Sequence, residues 1–70
     1  MNTKQNVIIR RAVLLKKTAL SNATIHNKMN PRSKYYDETF PKRVRLGAKA
    51  VGWYESEVDN WILNREKVAD

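Results

Sequence analysis

The side chains able to do chemistry in this 70-residue chain are few and scattered. His26 is the single histidine and no cysteine accompanies it, so the usual zinc ligands and thiol nucleophiles are missing. No glycine-rich phosphate loop is present, and no serine, histidine and carboxylate are spaced as a triad. Glu55, Glu57 and Asp59 do cluster, but at the start of an apolar-periodic segment, where acids favour a helix dipole. The sequence therefore predicts no enzyme activity, no metal and no cofactor. Binding chemistry remains. Ser21, Asn22, Thr24 and Asn27 offer hydroxyls and amides, His26 an imidazole, and Lys28, Arg43, Arg45 and Lys49 cationic groups. An asparagine can pair bidentately with adenine, while the methyls of Ala23 and Thr24 can meet that of thymine.

Charge points the same way. Fourteen Lys and Arg oppose seven Asp and Glu, a net of +7. Up to Lys49, twelve basic residues face only Asp37 and Glu38, leaving +10, whereas the balance from Ala50 onward is −3. A one-sided field suits a polyanion, because each neutralised phosphate releases condensed counterions. A membrane surface fits less well, since no segment pairs a broad apolar face with a lysine-rich one. No apolar run reaches the roughly 18 residues of a membrane span, and Met1 to Asn6 lack the apolar stretch of a secretory signal. The chain reads as cytoplasmic, with a flexible tail over 1–7 and one small domain over 8–67. Packing must stabilise that domain, without disulfides.

The elements that position these groups follow from periodicity. Ala12 to Lys17 reads as a short helix with Val13 and Leu14 toward a core. Ser21 is a good N-cap for a second helix through Met29, which Asn30-Pro31 stops. On that helix Ile25 and Met29 define the buried side. Ala23, Thr24 and Asn27 then point outward, His26 and Lys28 flank them, and Asn22 reaches out from the first turn. Residues 31–41 form a loop between two prolines, with Tyr35, Tyr36 and Phe40 expected to pin it to the core. The alternative is that the tyrosines, beside Arg32 and Lys34, stack on bases. In Lys42 to Trp53, Val44 and Leu46 alternate with Arg43 and Arg45, and Gly47-Ala48-Lys49 supplies a turn in which Gly47 is free to take positive φ. This predicts a β-hairpin with one apolar and one cationic face. Glu55 to about Lys67 reads as an amphipathic helix with Val58, Trp61, Ile62 and Arg65 on one stripe. Trp53 and Trp61 are expected in the core.

These residues carry a resemblance. Thr18-Ala19-Leu20-Ser21 followed by Ala23-Thr24-Ile25 resembles the helix-turn-helix of small phage excisionases and MerR-like regulators. The stretch NPRSKYYDETFPKRVRLGAKAVGWYESEVDNW, from Asn30 to Trp61, is similar to the AlpA family of prophage-associated transcriptional regulators. The FPK-x-x-x-LG segment, the VGW ending the hairpin and the following acidic helix with its tryptophan all match, and the likeness covers roughly residues 8–65. It implies an α+β fold, a small winged helix-turn-helix of three helices and one β-hairpin wing. It also implies sequence-specific binding near the integrase genes of mobile elements. Family members activate excision genes or, as recombination directionality factors, bend attachment-site DNA. By position, Ser21 to Lys28 becomes the recognition helix and Arg43 to Trp53 the wing. Two departures stand out. Ala19 replaces the usual turn glycine, which implies a slightly strained bend. Asn22 and Asn27 stand where many relatives carry arginine, which leaves the base preference open.

The expected partner is double-stranded DNA, with the second helix in the major groove and Arg43, Arg45 and Lys49 along the backbone or an adjacent minor groove. A unit this small reads only a few base pairs, so self-association on DNA or repeated sites are needed for selectivity. RNA polymerase or an integrase are the candidate protein partners. An adaptor binding an acidic protein through the same cations is the different-class alternative.

Overall fold

A computed structural model describes residues 7–69. The expected flexible tail lies outside the described residues except for Val7, whose carbonyl accepts from the Glu55 N–H at 2.9 Å. The elements in chain order are β1 (Ile8–Ile9), α1 (Arg11–Thr18), α2 (Asn22–Met29), β2 (Val44–Arg45), β3 (Val51–Tyr54) and α3 (Glu55–Leu63). The fold is α+β, three helices on a small antiparallel sheet of order β1-β3-β2. The first strand is an addition to the expected hairpin. Two residues cannot display a period of two, so only the pairing of Ile8 with Tyr54 and Ile9 with Trp53 reveals it.

Helix α1 buries Leu14 completely but leaves Val13 43% exposed, against expectation. Neighbours on a helix lie about 100° apart, and a helix of little more than two turns offers the core one narrow stripe. The helix ends where the Ala19 N–H donates to the Leu15 carbonyl at 2.8 Å and Ala19 turns left-handed, at φ 60°. An alanine there costs about 1 kcal/mol relative to glycine. The Thr18 hydroxyl braces the bend, donating to the Leu14 carbonyl at 2.8 Å and accepting from the Leu20 N–H at 3.3 Å. Ser21 then caps α2 as expected, its Oγ accepting from the Thr24 N–H at 3.2 Å. Ile25 is fully buried and Met29 packs against the core.

The loop after α2 is pinned by Phe40 and Asp37, and not by its tyrosines. Phe40 is buried and meets Trp61 edge-on, centroids 4.9 Å apart. Asp37 donates its N–H to the Lys28 carbonyl at 2.9 Å and accepts from the Trp61 indole at 3.2 Å. Tyr35 and Tyr36 are exposed. Local turns already satisfy the backbone around them, with Ser33 N–H on the Asn30 carbonyl and Tyr36 N–H on the Ser33 carbonyl.

The hairpin forms where expected but differs in two respects. Gly47 does not take positive φ, because a wide bend closes with both the Leu46 and Gly47 N–H groups on the Ala50 carbonyl, at 2.8 and 3.3 Å. The bend also sets parity. Val44 pairs with Gly52 and Arg45 with Val51, and directly opposed residues share a face. Arg45 therefore lies on the face of Val51 and Trp53, with Val44 on the other, so the expected apolar-versus-cationic division does not form. A two- or four-residue connection would have produced it.

Helix α3 stops at Leu63, four residues before the expected end near Lys67. The Asn64 side-chain amide donates to the Asn60 carbonyl at 2.9 Å and so competes with the backbone for it. Arg65 folds back over Trp61, with its guanidinium 3.9 Å from the ring centroid. Ile9, Leu14, Ile25, Phe40, Trp53, Val58 and Trp61 make up the buried core. Lys17 of α1 bridges to Glu55 and Asp59 of α3 at 3.2 and 2.8 Å. The acids expected to serve a helix dipole thus also tether α1, and their hydrogen bonds, Asp59 first, raise the Lys17 pKa.

Candidate nucleic-acid interface

Capping at Ser21 and burial of Ile25 fix both the start and the rotation of α2. The stripe left open consists of Asn22, Ala23 and His26, while Thr24, Asn27 and Lys28 are half-buried. This rotates the expected outer face of Ala23, Thr24 and Asn27 toward His26. The cause is packing of polar groups that a hydrophobic pattern does not flag. The Lys28 ammonium sits 5.5 Å from the Trp61 ring centroid, and the Thr24 hydroxyl hydrogen-bonds Ser21 Oγ at 3.0 Å. Ser21 itself is exposed, with its side chain engaged in the cap.

Asn22 has a defined orientation. Arg11 Nη1 donates to Asn22 Oδ1 at 3.3 Å, and the Arg11 guanidinium lies 5.4 Å from the Trp53 ring centroid. Arginine has no acceptor, so the amide must turn its oxygen toward Arg11 and leave its NH2 group free to donate outward.

A cleft of about 520 Å³ runs beside α2 and is lined by Arg11, His26, Lys28, Tyr36, Lys42 and Arg43, among others. Of the residues predicted from sequence, this brings together His26, Lys28 and Arg43. Arg45 and Lys49 are exposed farther along the hairpin, and Arg45 Nη1 donates to the Ala48 carbonyl at 3.4 Å. Arg11 and Lys42 join the cleft without having been singled out as site residues, and Tyr36, weighed from sequence only as an alternative base-stacking residue, lines it too. The two cations were visible only as part of the basic excess before Ala50, and their convergence is tertiary. Asp37 is the acid on the cleft wall. Hydrogen bonds from the Thr39 side chain, the Thr39 backbone and Trp61, in that order, outweigh its burial and hold its carboxyl below the ordinary range. Among the described residues no three His, Cys, Asp or Glu side chains could jointly hold a metal ion, and no helix is long and apolar enough to cross a membrane.

A capped helix with an open polar stripe, preceded by a tight left-handed turn and followed by a basic hairpin, defines a small winged helix-turn-helix protein. Residues 7–66 match the model of the family described as Prophage CP4-57 regulatory protein (AlpA), and the chain belongs to that family. It is 45% identical over 69 residues to the DNA-binding transcriptional activator AlpA of Escherichia coli (strain K12), across 97% of this chain and 99% of that one. No solved structure gives a significant match.

Proposed function

We propose that this protein is a DNA-binding transcriptional regulator of prophage origin that reads its site through α2 and holds the backbone through the hairpin. The observation that carries the reading is the juxtaposition of the open stripe Asn22, Ala23 and His26 with the cationic cleft. Uncharged groups that discriminate base edges stand beside cations that neutralise phosphate, the division of labour that groove recognition requires. The free NH2 of Asn22 donates to an acceptor on a base edge, and Arg43, Arg45 and Lys49 follow the backbone. The near full-length relative is named a transcriptional activator, which favours a promoter-bound regulator over a recombination directionality factor. Such a regulator works in the cytoplasm, contacts RNA polymerase from its site, and needs a second copy or a repeated site for selectivity.

Selection of duplexes from a random library, followed by salt titration, tests this. Enrichment of a defined site is expected, with a log–log salt slope of about −3 to −6 for roughly four to six phosphates. A slope near zero removes the DNA reading. Binding that survives a large excess of competitor DNA and is directed at an acidic protein favours the adaptor instead.

A further inference from the structure

The segment joining α2 to β2 presents two tyrosines outward, Tyr35 at 61% and Tyr36 at 38% exposure, although Phe40 nearby is buried. The rings are not left out for want of order. Asp37 fixes the base of the loop through Lys28 of α2 and Trp61 of α3, and the Ser33 hydroxyl accepts from the Tyr35 N–H at 3.0 Å. Phe40 and Pro41, both buried, close the far end. Two aromatic side chains are thus displayed on a frame that other residues hold.

Their surroundings specify what they fit. Tyr36 lines the same cleft as the exposed His26 of α2 and the exposed Lys42 and Arg43, with Arg11 and Lys28 also on its wall. Asp37, the acid in that cleft, is engaged by Thr39 and Trp61. Tyr35 has the Lys34 ammonium 5.2 Å from its ring centroid, and Arg32 and Lys34 are exposed beside it. A phenol donates to phosphate oxygen, an aromatic face packs on sugar and base, and neighbouring cations neutralise the strand. Exposed cations surround the rings, and Glu38 is the one exposed acid of residues 30–43 to meet a basic partner.

We infer that the cleft beside α2 seats one strand of the DNA backbone at the edge of the groove that α2 enters, with the Tyr36 hydroxyl donating to a phosphate. Tyr35, Lys34 and Arg32 extend the contact along that strand. The inference rests on the DNA-binding reading and adds a third contact element to α2 and the hairpin. Because phosphate contacts carry no sequence information, this element positions the protein and leaves base preference to α2.

The probes are a duplex selected by the wild-type protein from a random library and a scrambled version of it. Tyr36→Phe keeps the ring and removes only the hydroxyl, so folding is retained, and circular dichroism checks this. It lowers affinity for both duplexes by about 2- to 10-fold, as loss of one hydrogen bond does. Base preference is unchanged. A neutral methylphosphonate scanned along the selected site weakens wild-type binding at one phosphate where Tyr36→Phe loses nothing further. Wild-type affinity of both Tyr36→Phe and Tyr36→Ala for both duplexes overturns the inference and leaves DNA binding standing. A loss confined to the selected duplex also overturns it, since the tyrosine would then be reading a base. Failure of the wild-type protein to bind any duplex overturns the DNA reading itself.

Discussion

The indole N–H of Trp61 in α3 donates to Asp37 Oδ2 at 3.2 Å, joining the last helix to the loop beneath the cleft. The Asp37 backbone N–H donates to the Lys28 carbonyl near the end of α2. One residue therefore links α2, the tyrosine-bearing loop and α3, and Arg65 adds a looser cation at 3.9 Å from the same carboxylate. Disturbing this junction would change how α2 and the loop are seated against α3.

The Asp37 carboxyl is held below its ordinary value chiefly by the Thr39 hydroxyl, then by the Thr39 backbone, Trp61 and the charge of Lys28, against its burial. A depressed folded pKa contributes stability that is present above the unfolded value, about 3.9 for aspartate, and is lost as pH falls through the folded value. Asp37→Asn should therefore melt lower than wild type at neutral pH, with the gap narrowing once the pH drops below about 4. Thermal melts across that range check it. A gap that stays constant with pH would show that the charge of Asp37 is immaterial and only its shape matters.

Trp61 is 7% exposed, meets Phe40 edge-on, holds Asp37 and lies under Arg65. Trp61→Ala should cost about 3 to 5 kcal/mol, enough to unfold a domain of this size. Denaturant titration provides the measurement, and an unchanged midpoint would place the indole outside the core. Trp61→Phe keeps most of the buried area and loses the indole hydrogen bond, so it should cost about 1 to 3 kcal/mol.

Gly52 of β3 lies close against Ile8 and Ile9 of β1. A Cβ there would lie 2.6 Å from Ile8 Cγ2, 2.8 Å from the Ile9 carbonyl oxygen and 3.3 Å from Leu46 Cδ1. The backbone oxygen cannot swing aside as a side chain can, so β1 must move. Gly52→Ala should destabilise by about 1 to 3 kcal/mol. Hydrogen exchange at the β1 and β3 amides should rise more than exchange in α2. Equal stability would mean that the first strand is not pressed against the sheet.

What could be read in the chain was local. Ser21 as a cap, Ile25 as the buried anchor, the break at Asn30-Pro31 and the Val58–Trp61 stripe all depend on residues a turn apart, and each recurs in the structure. What escaped was set by distant partners or by parity. The two-residue strand β1 exists only through β3. The faces of the hairpin turned on the length of one bend. Asn64 ended α3 through a side chain that the apolar stripe ignores. At the interface the basic excess was plain, yet Arg11 of α1 and Lys42 before β2 meet beside α2 only in the folded chain. The outward face of α2 was displaced toward His26 because Thr24 and Lys28, both polar, are packed.

That displacement decides where base reading should be sought. Asn22 and His26 are exposed on α2, Asn27 is half-buried, and Arg45 is exposed on the hairpin. Asn22→Ala should weaken binding to a selected duplex by about 1 to 3 kcal/mol and leave a scrambled duplex nearly unaffected, because a base-edge donor is lost. His26→Ala should act in the same direction, and Asn27→Ala less than either. Arg45→Ala should weaken both duplexes alike and make the log–log salt slope shallower by about one, because it removes a phosphate contact. All four variants belong on the same two duplexes, with folding checked by circular dichroism. If Asn22→Ala and His26→Ala lower both affinities equally, α2 does not discriminate bases. If discrimination is lost only in Arg45→Ala, the hairpin is the reader and α2 the support, and the roles of the two elements are reversed.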